Sequence, residues 1–246
     1  MSWRIEESDA LTLLRELPGR WAQTCVTCPP REVPVPELIA VLAEVRRVLR
    51  SDGTLWLALS RGMDRPAILE RLEQETAWLR PEQSGTPMPG GVVLLTKRAA
   101  YLHNRRPLPA APVERRRCPT HRARSAGPHT PRRAFCVPAG SQDRLLPLEV
   151  IDWCISTSTA VQACGICGAP WREAPAGAAR EVSWRRRCVH LNGRGRSLVI
   201  DPYCGRGSVG VAAQLRDRDF LGIERSPALA ALARRRLSTT PRGSLR

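Results

Sequence analysis

Short apolar runs alternate with stretches of three-and-four apolar spacing along most of the chain, a pattern that predicts strands separated by helices. Trp3 to Glu6 and Thr24 to Thr27 are the first predicted strands. Between them Asp9 is placed to cap a helix with Leu11, Leu14 and Leu17 on one face. Glu37 to Leu49 is the clearest helix, its apolar face carried by Leu38, Val41, Leu42, Val45, Val48 and Leu49. Ser51-Asp52-Gly53 is expected to end it, before a buried strand at Thr54 to Leu59. Pro66 opens a weaker helix reaching Leu79, and Val92 to Leu95 reads as another buried strand. After a helix at Leu146 to Ile155 come a strand (Leu198 to Ile200), a helix from Ser208 and a strand (Phe220 to Ile223). A last helix has Ser226 as its cap and Pro227 as its first residue. The alternation predicts an α/β fold: a doubly wound, mostly parallel sheet covered by helices.

Two stretches break the pattern. Residues 105–133 are rich in proline and hold nine arginines with Glu114 as the only acid, which predicts an irregular basic arm. A cysteine-rich insert precedes Leu198. The chain has 246 residues, enough for one sizeable domain with inserts, and 42% apolar residues, enough for a core. Its net charge is +16, nearly all arginine because Lys97 is the only lysine. Such a field favours polyanions, nucleic acid first among them. No stretch is long and apolar enough to span a membrane, and the N-terminus has no signal-peptide core, so a cytoplasmic protein is expected. Nine cysteines, an odd number, then point to metal ligands or buried thiols rather than a disulfide framework.

The most informative chemistry lies between Ser197 and Glu224. A strand ends in Asp201; Pro202, Tyr203, Gly205 and Gly207 make a turn; a helix begins at Ser208; the next strand ends in Glu224. Glycines let backbone approach a ligand, the helix start offers free N–H groups, and the second acid is placed to reach two ribose hydroxyls. Pro202 and Tyr203 replace the leading glycine of a dinucleotide fingerprint. The pattern therefore suits S-adenosylmethionine, which has a ribose and no pyrophosphate.

Here the chain resembles the DNA amino-methyltransferases, whose cofactor motif reads Asp-Pro-Phe-x-Gly-Ser-Gly-Thr. In one circularly permuted branch the catalytic motif precedes the cofactor motif, as the order here would have it. Trp3 to Pro30 is similar to that branch's opening strand, helix and Thr-Ser-Pro-Pro-Tyr strand end, and Glu44 to Leu59 to its Glu-Val-x-Arg-Val-Leu-x-x-Asp-Gly-Thr-Leu-Trp segment. The resemblance implies a Rossmann-like methyltransferase that transfers a methyl group from S-adenosylmethionine to the exocyclic amine of adenine or cytosine in double-stranded DNA. The resemblance leaves open whether a restriction endonuclease is a partner. Asp9, Asp201, Pro202, Tyr203, Gly205, Gly207, Ser208 and Glu224 would hold the cofactor, and Cys28, Pro29, Pro30 and Arg31 would hold the base. Where the family has Asp, Asn or Ser and an aromatic, this chain has Cys28 and Arg31. A thiol is a weaker acceptor than a hydroxyl, and the segment after Pro30 is shorter than the family's. A member that folds and binds DNA without methylating it is therefore the alternative reading.

Cys164 and Cys167, two residues apart with glycines, and Cys188 with His190 form a three-Cys, one-His set that fits structural zinc. Some relatives in the branch carry a similar insert. The expected organisation is residues 1–104 as the catalytic half, 105–140 as the arm and candidate target-recognition region, and 141–160 as a cofactor-closing helix. Residues 161–196 are then the zinc-knuckle insert and 197–246 the cofactor-binding half.

Overall fold

The computed structural model describes residues 3–60, 62–81, 92–102, 146–173, 184–191 and 193–244. The arm at 105–140 lies outside the described residues. The strands are β1 (Trp3–Glu7), β2 (Ala22–Thr27), β3 (Leu49–Ala58), β4 (Val92–Thr96), β5 (Ala163–Cys164), β6 (Arg172–Glu173), β7 (Trp184–Arg185), β8 (Arg194–Gly195), β9 (Leu198–Asp201) and β10 (Asp219–Glu224). The helices are α1 (Ala10–Glu16), α2 (Val35–Val48), α3 (Arg65–Thr76), α4 (Leu148–Ser158), α5 (Ser208–Leu215) and α6 (Pro227–Thr239).

Six strands form one sheet in the order β1-β10-β9-β2-β3-β4. The first five run parallel and β4 runs antiparallel to β3. Alternate residues of each strand feed opposite faces. On β3, Leu55 and Leu57 join α1, α2 and α3 in one core, while Trp56 and Ala58 join α4, α5 and α6 in the other. Helices on both faces explain why β2 is buried along its whole length. Trp56 Nε1 donates to Ser158 Oγ at 2.6 Å and Trp78 Nε1 to the Leu42 carbonyl at 3.2 Å, so each large indole is satisfied inside its layer.

The predicted caps form. Asp9 accepts from Thr12 N at 2.9 Å, and Ser226 accepts from Leu229 N at 3.5 Å with Pro227 in the first turn. One expectation fails. Ser51-Asp52-Gly53 does not end α2, which stops at Val48; β3 starts at Leu49 and runs through those residues. Gly53 has a packing role instead, because a Cβ there would lie 2.9 Å from the Gln23 carbonyl oxygen of the neighbouring strand.

Candidate functional site

The crossover from β9 leads through α5 to one face of the sheet, and the connection after β2 leads through α2 to the other. Strands β9 and β2 are adjacent, so a crevice opens at their carboxyl ends, where ligands bind in open α/β sheets. Thr27 Oγ1 donates to Asp201 Oδ1 at 2.7 Å across 174 residues of sequence. That single bond joins the two motifs that were far apart in the sequence.

The cleft encloses about 500 Å³, within the range of small-molecule sites. Asp9, Asp201, Pro202, Tyr203, Gly205, Ser208 and Glu224 line it, as do Cys28 and Pro30 from the β2 end. Helix α4 adds Ile151, preceded by Leu146. Gly207 shapes the turn from behind: it sits at φ 78°, and a Cβ there would lie 3.0 Å from Ala233 Cβ. Gly205, at φ 52°, is also in the left-handed region. Its amide donates to Glu224 Oε2 at 2.8 Å, while Ser226 N donates to Glu224 Oε1 at 2.8 Å. Glu224 therefore sets the turn and the start of α6 together. Each of its oxygens keeps a lone pair for a further donor.

Asp201 is buried and accepts from Tyr203 N at 3.1 Å as well as from Thr27. Burial pushes its carboxyl up to about 7; the bonds from Thr27 and Tyr203 oppose that shift, and Glu224 adds to it. Asp9 behaves in the opposite way. The Thr12 amide holds its carboxyl below the usual range despite some burial.

Pro29 is buried, between Cys28 and Pro30 of the cleft lining. Arg31 does not line the cleft; it is exposed and pairs with Glu32 at 3.2 Å. The sequence reading missed Ser8, Glu37, Arg206 and Arg225, which also line the cleft. Glu37 was visible only as the start of a helix, and Arg225 only as the residue after a predicted acid. The cleft now holds four carboxylates (Asp9, Glu37, Asp201 and Glu224) against two guanidiniums (Arg206 and Arg225). In a chain of net charge +16 this is a local reversal of sign. It favours a ligand with positive charge and hydroxyl donors.

The second site is the knuckle. The ligand atoms of Cys164, Cys167, Cys188 and His190 all lie within 4.8 Å of one another. Cys164 Sγ is 3.7 Å from His190 Nδ1, and Ile166 N points to that sulfur at 3.4 Å. Burial opposes ionisation of the Cys164 thiol, but the amides of Cys167 and Ile166 and the neighbouring thiols outweigh it and hold the group at about 6. Three sulfurs and an imidazole gathered this closely fit a closed tetrahedral zinc site. Among the described residues no cysteine is in a disulfide. The knuckle lies at the amino ends of the strands, opposite the cleft. Arg50, early in β3, donates to the Cys167 carbonyl, and Gly168 packs against the Trp21 carbonyl just before β2.

No family model matches the chain. It is 27% identical over 272 residues to the Type II methyltransferase M.XycI of Xanthomonas campestris pv. cyanopsidis, covering 94% of this chain and 86% of that protein. Among solved structures, the M1.HpyAVI–S-adenosylmethionine complex aligns with a TM-score of 0.54 and 14% identity, covering 96% of this chain and 98% of that one. PvuII DNA methyltransferase, cytosine-N4-specific, aligns with a TM-score of 0.56 and 14% identity, covering 95% and 86%. The shared architecture is the Rossmann-like methyltransferase sheet. Among the described residues no helix is long and apolar enough to cross a membrane.

Proposed function

We propose that this chain is an S-adenosylmethionine-dependent DNA methyltransferase of the permuted amino-methyltransferase family, acting on the exocyclic amine of adenine or cytosine. The observation that carries the reading is the cleft itself. It brings Cys28 and Pro30 at one strand end together with Asp9, Asp201 and Glu224 at the others. The sign reversal there suits a sulfonium cofactor, and Glu224 suits its ribose.

Bound S-adenosylmethionine would supply an activated methyl group. The residues must do the rest. An aromatic amine is a poor nucleophile because its lone pair is delocalised into the ring. Acceptors on its N–H groups, here Cys28 Sγ and the Pro29 carbonyl, draw the nitrogen toward tetrahedral geometry and free that lone pair. Holding the nitrogen in line with the methyl group supplies much of the remaining acceleration. The base must leave the duplex stack to reach the cleft, and Arg31, which lies outside the cleft paired with Glu32, would have to turn inward for its guanidinium plane to stack on it. The arm at residues 105–140 would read the target sequence through arginine contacts. A restriction endonuclease that cuts the same sequence would be the partner.

Calorimetry with S-adenosylmethionine, followed by transfer of a tritiated methyl group to mixed genomic DNA, tests the reading. Binding and incorporation are expected, with faster turnover in Cys28→Ser/Arg31→Tyr. Binding without transfer in both proteins would assign the chain to DNA binding without catalysis.

Asp201 predicts a pH dependence. Its folded value, about 7, lies above the unfolded value of about 3.9. The group's stabilising effect is therefore complete below about pH 4 and is lost as pH rises through 7. A cationic cofactor favours the ionised carboxylate, so affinity for S-adenosylmethionine should rise between pH 6 and 8. Asp201→Asn should flatten that profile, and an equally steep profile in the variant would assign it to another group.

The knuckle is read as a zinc brace for the amino edge of the sheet. The purified protein should carry one zinc per chain. Chelation should lower the melting temperature by about 10 °C or more while sparing cofactor affinity at low temperature. A metal-free protein of unchanged melting temperature would refute the brace.

A further inference from the structure

The edge of the sheet opposite the cleft carries charge that the proposed chemistry does not use. Lys97 follows β4 and donates from Nζ to the Leu49 carbonyl at 2.7 Å, at the start of β3. Arg46, Arg20 and Arg98 are close enough to act on its ammonium, and burial with their repulsion brings that group down to about 8. Arg20 and Arg98 are exposed, and the Nε of Arg46 is buried without a hydrogen-bond partner. Acids do occur near this edge, but they are engaged. Arg47 pairs with Glu44 at 2.7 Å, Arg50 with Asp52 at 3.4 Å, Arg196 with Asp217 at 2.9 Å and Arg242 with Asp219 at 3.5 Å. Among the described residues, none pairs with Lys97, Arg20, Arg46 or Arg98.

Gathering like charges costs folding free energy, so the cluster is not a stabilising device. Its spread-out charge matches a polyanion, whereas protein interfaces centre on buried aromatic or arginine anchors. The cluster lies at the other end of the strands from the cleft. Strand β10 has six residues, which at about 3.3 Å each separates the two edges by about 20 Å.

We propose that this amino edge, centred on Lys97, Arg20, Arg46 and Arg98, is a second, sequence-independent binding surface for the phosphate backbone of duplex DNA. The proposal rests on the methyltransferase reading. A protein that holds a second segment can pass between segments without first dissociating into solution.

The test uses a fluorescein-labelled, mixed-sequence duplex and the full chain, over 50 to 200 mM salt, with Arg20→Gln/Lys97→Gln/Arg98→Gln as the variant. Wild type should bind two duplexes per chain, and its dissociation should accelerate with unlabelled competitor DNA. The variant should bind one, lose the competitor effect, and show a salt slope shallower by about 2 to 3. Its cofactor affinity and its methyl transfer at saturating DNA should match wild type. Arg98→Glu, a single exposed change, gives the same readouts with a smaller shift if the triple variant is unstable. One duplex per chain in wild type, or an unchanged salt slope in the variants, overturns the second surface while cofactor binding and methyl transfer stand. Wild type that neither binds cofactor nor transfers methyl fails at the earlier reading instead. Two duplexes bound by every variant, with loss only of polyglutamate binding, would assign the edge to an acidic protein and overturn the proposal.

Discussion

Glu224→Ala is expected to weaken S-adenosylmethionine binding by about 100- to 10,000-fold, measured by calorimetry. The carboxylate is placed at the end of β10 for two ribose hydroxyls, and hydrogen bonds to a charged group are worth about 1.5–3 kcal/mol each. Two such bonds correspond to about two to four orders of magnitude in affinity. A second loss adds to the first. Glu224 accepts from Gly205 N and from Ser226 N, both at 2.8 Å, so truncation also frees the glycine turn that forms the cleft floor. Glu224→Gln separates the two losses. Its amide oxygen can keep one backbone donor, but the amide nitrogen opposes the other, so its affinity should fall between wild type and Glu224→Ala. Binding by Glu224→Ala within tenfold of wild type would remove Glu224 from the cofactor site.

The sequence made the parallel strands and their helices readable because each buries one apolar stripe or run, and burial imposes a period on the residues. The caps at Asp9 and Ser226 were readable for a similar reason: few side chains can satisfy a helix start. Gly53 misled because a glycine reports close approach as readily as a helix stop, and the partner it approaches, Gln23, is distant in sequence. The direction of β4 had no signal, since an apolar run reads the same in either orientation. The cleft was legible through Asp201, Gly205 and Glu224, whose backbone roles restrict residue type. Glu37 and Arg225 were hidden because a charged residue on a helix turn or after a strand has many uses. The placement of the knuckle opposite the cleft was also hidden. Its ligand spacing says what it can bind, and only the bond from Arg50 and the packing of Gly168 say where it sits.

Asp152→Ala should lower the melting temperature by about 6–20 °C through one buried contact that no motif announced. Asp152 and Arg216 form a two-pronged pair at 2.5 and 2.7 Å, and both side chains are almost wholly out of solvent. Arg218 lies beside them, buried, bonded to Thr159 Oγ1 at 2.8 Å and to the Arg216 carbonyl at 2.6 Å. Burial, with Arg216 next to it, brings Arg218 down to about 10. Asp152 is thus the carboxylate paired with Arg216, while Asp217 and Asp152 both act on Arg218. Removing it takes the paired carboxylate from a buried Arg216, and breaking a buried pair from one side costs about 3–5 kcal/mol. For a domain of this size each kcal/mol moves the midpoint by about 2–4 °C. The loss should reach function as well, because Ile151, on the cleft wall, is the preceding residue of α4. Cofactor affinity should therefore fall at temperatures where the variant is still folded. The cause can be isolated by removing the pair from both sides. Asp152→Leu/Arg216→Met leaves one buried cation instead of two and replaces the pair with apolar volume, so it should recover most of the lost stability. A double variant no more stable than Asp152→Ala would place the effect in helix packing rather than in stranded charge.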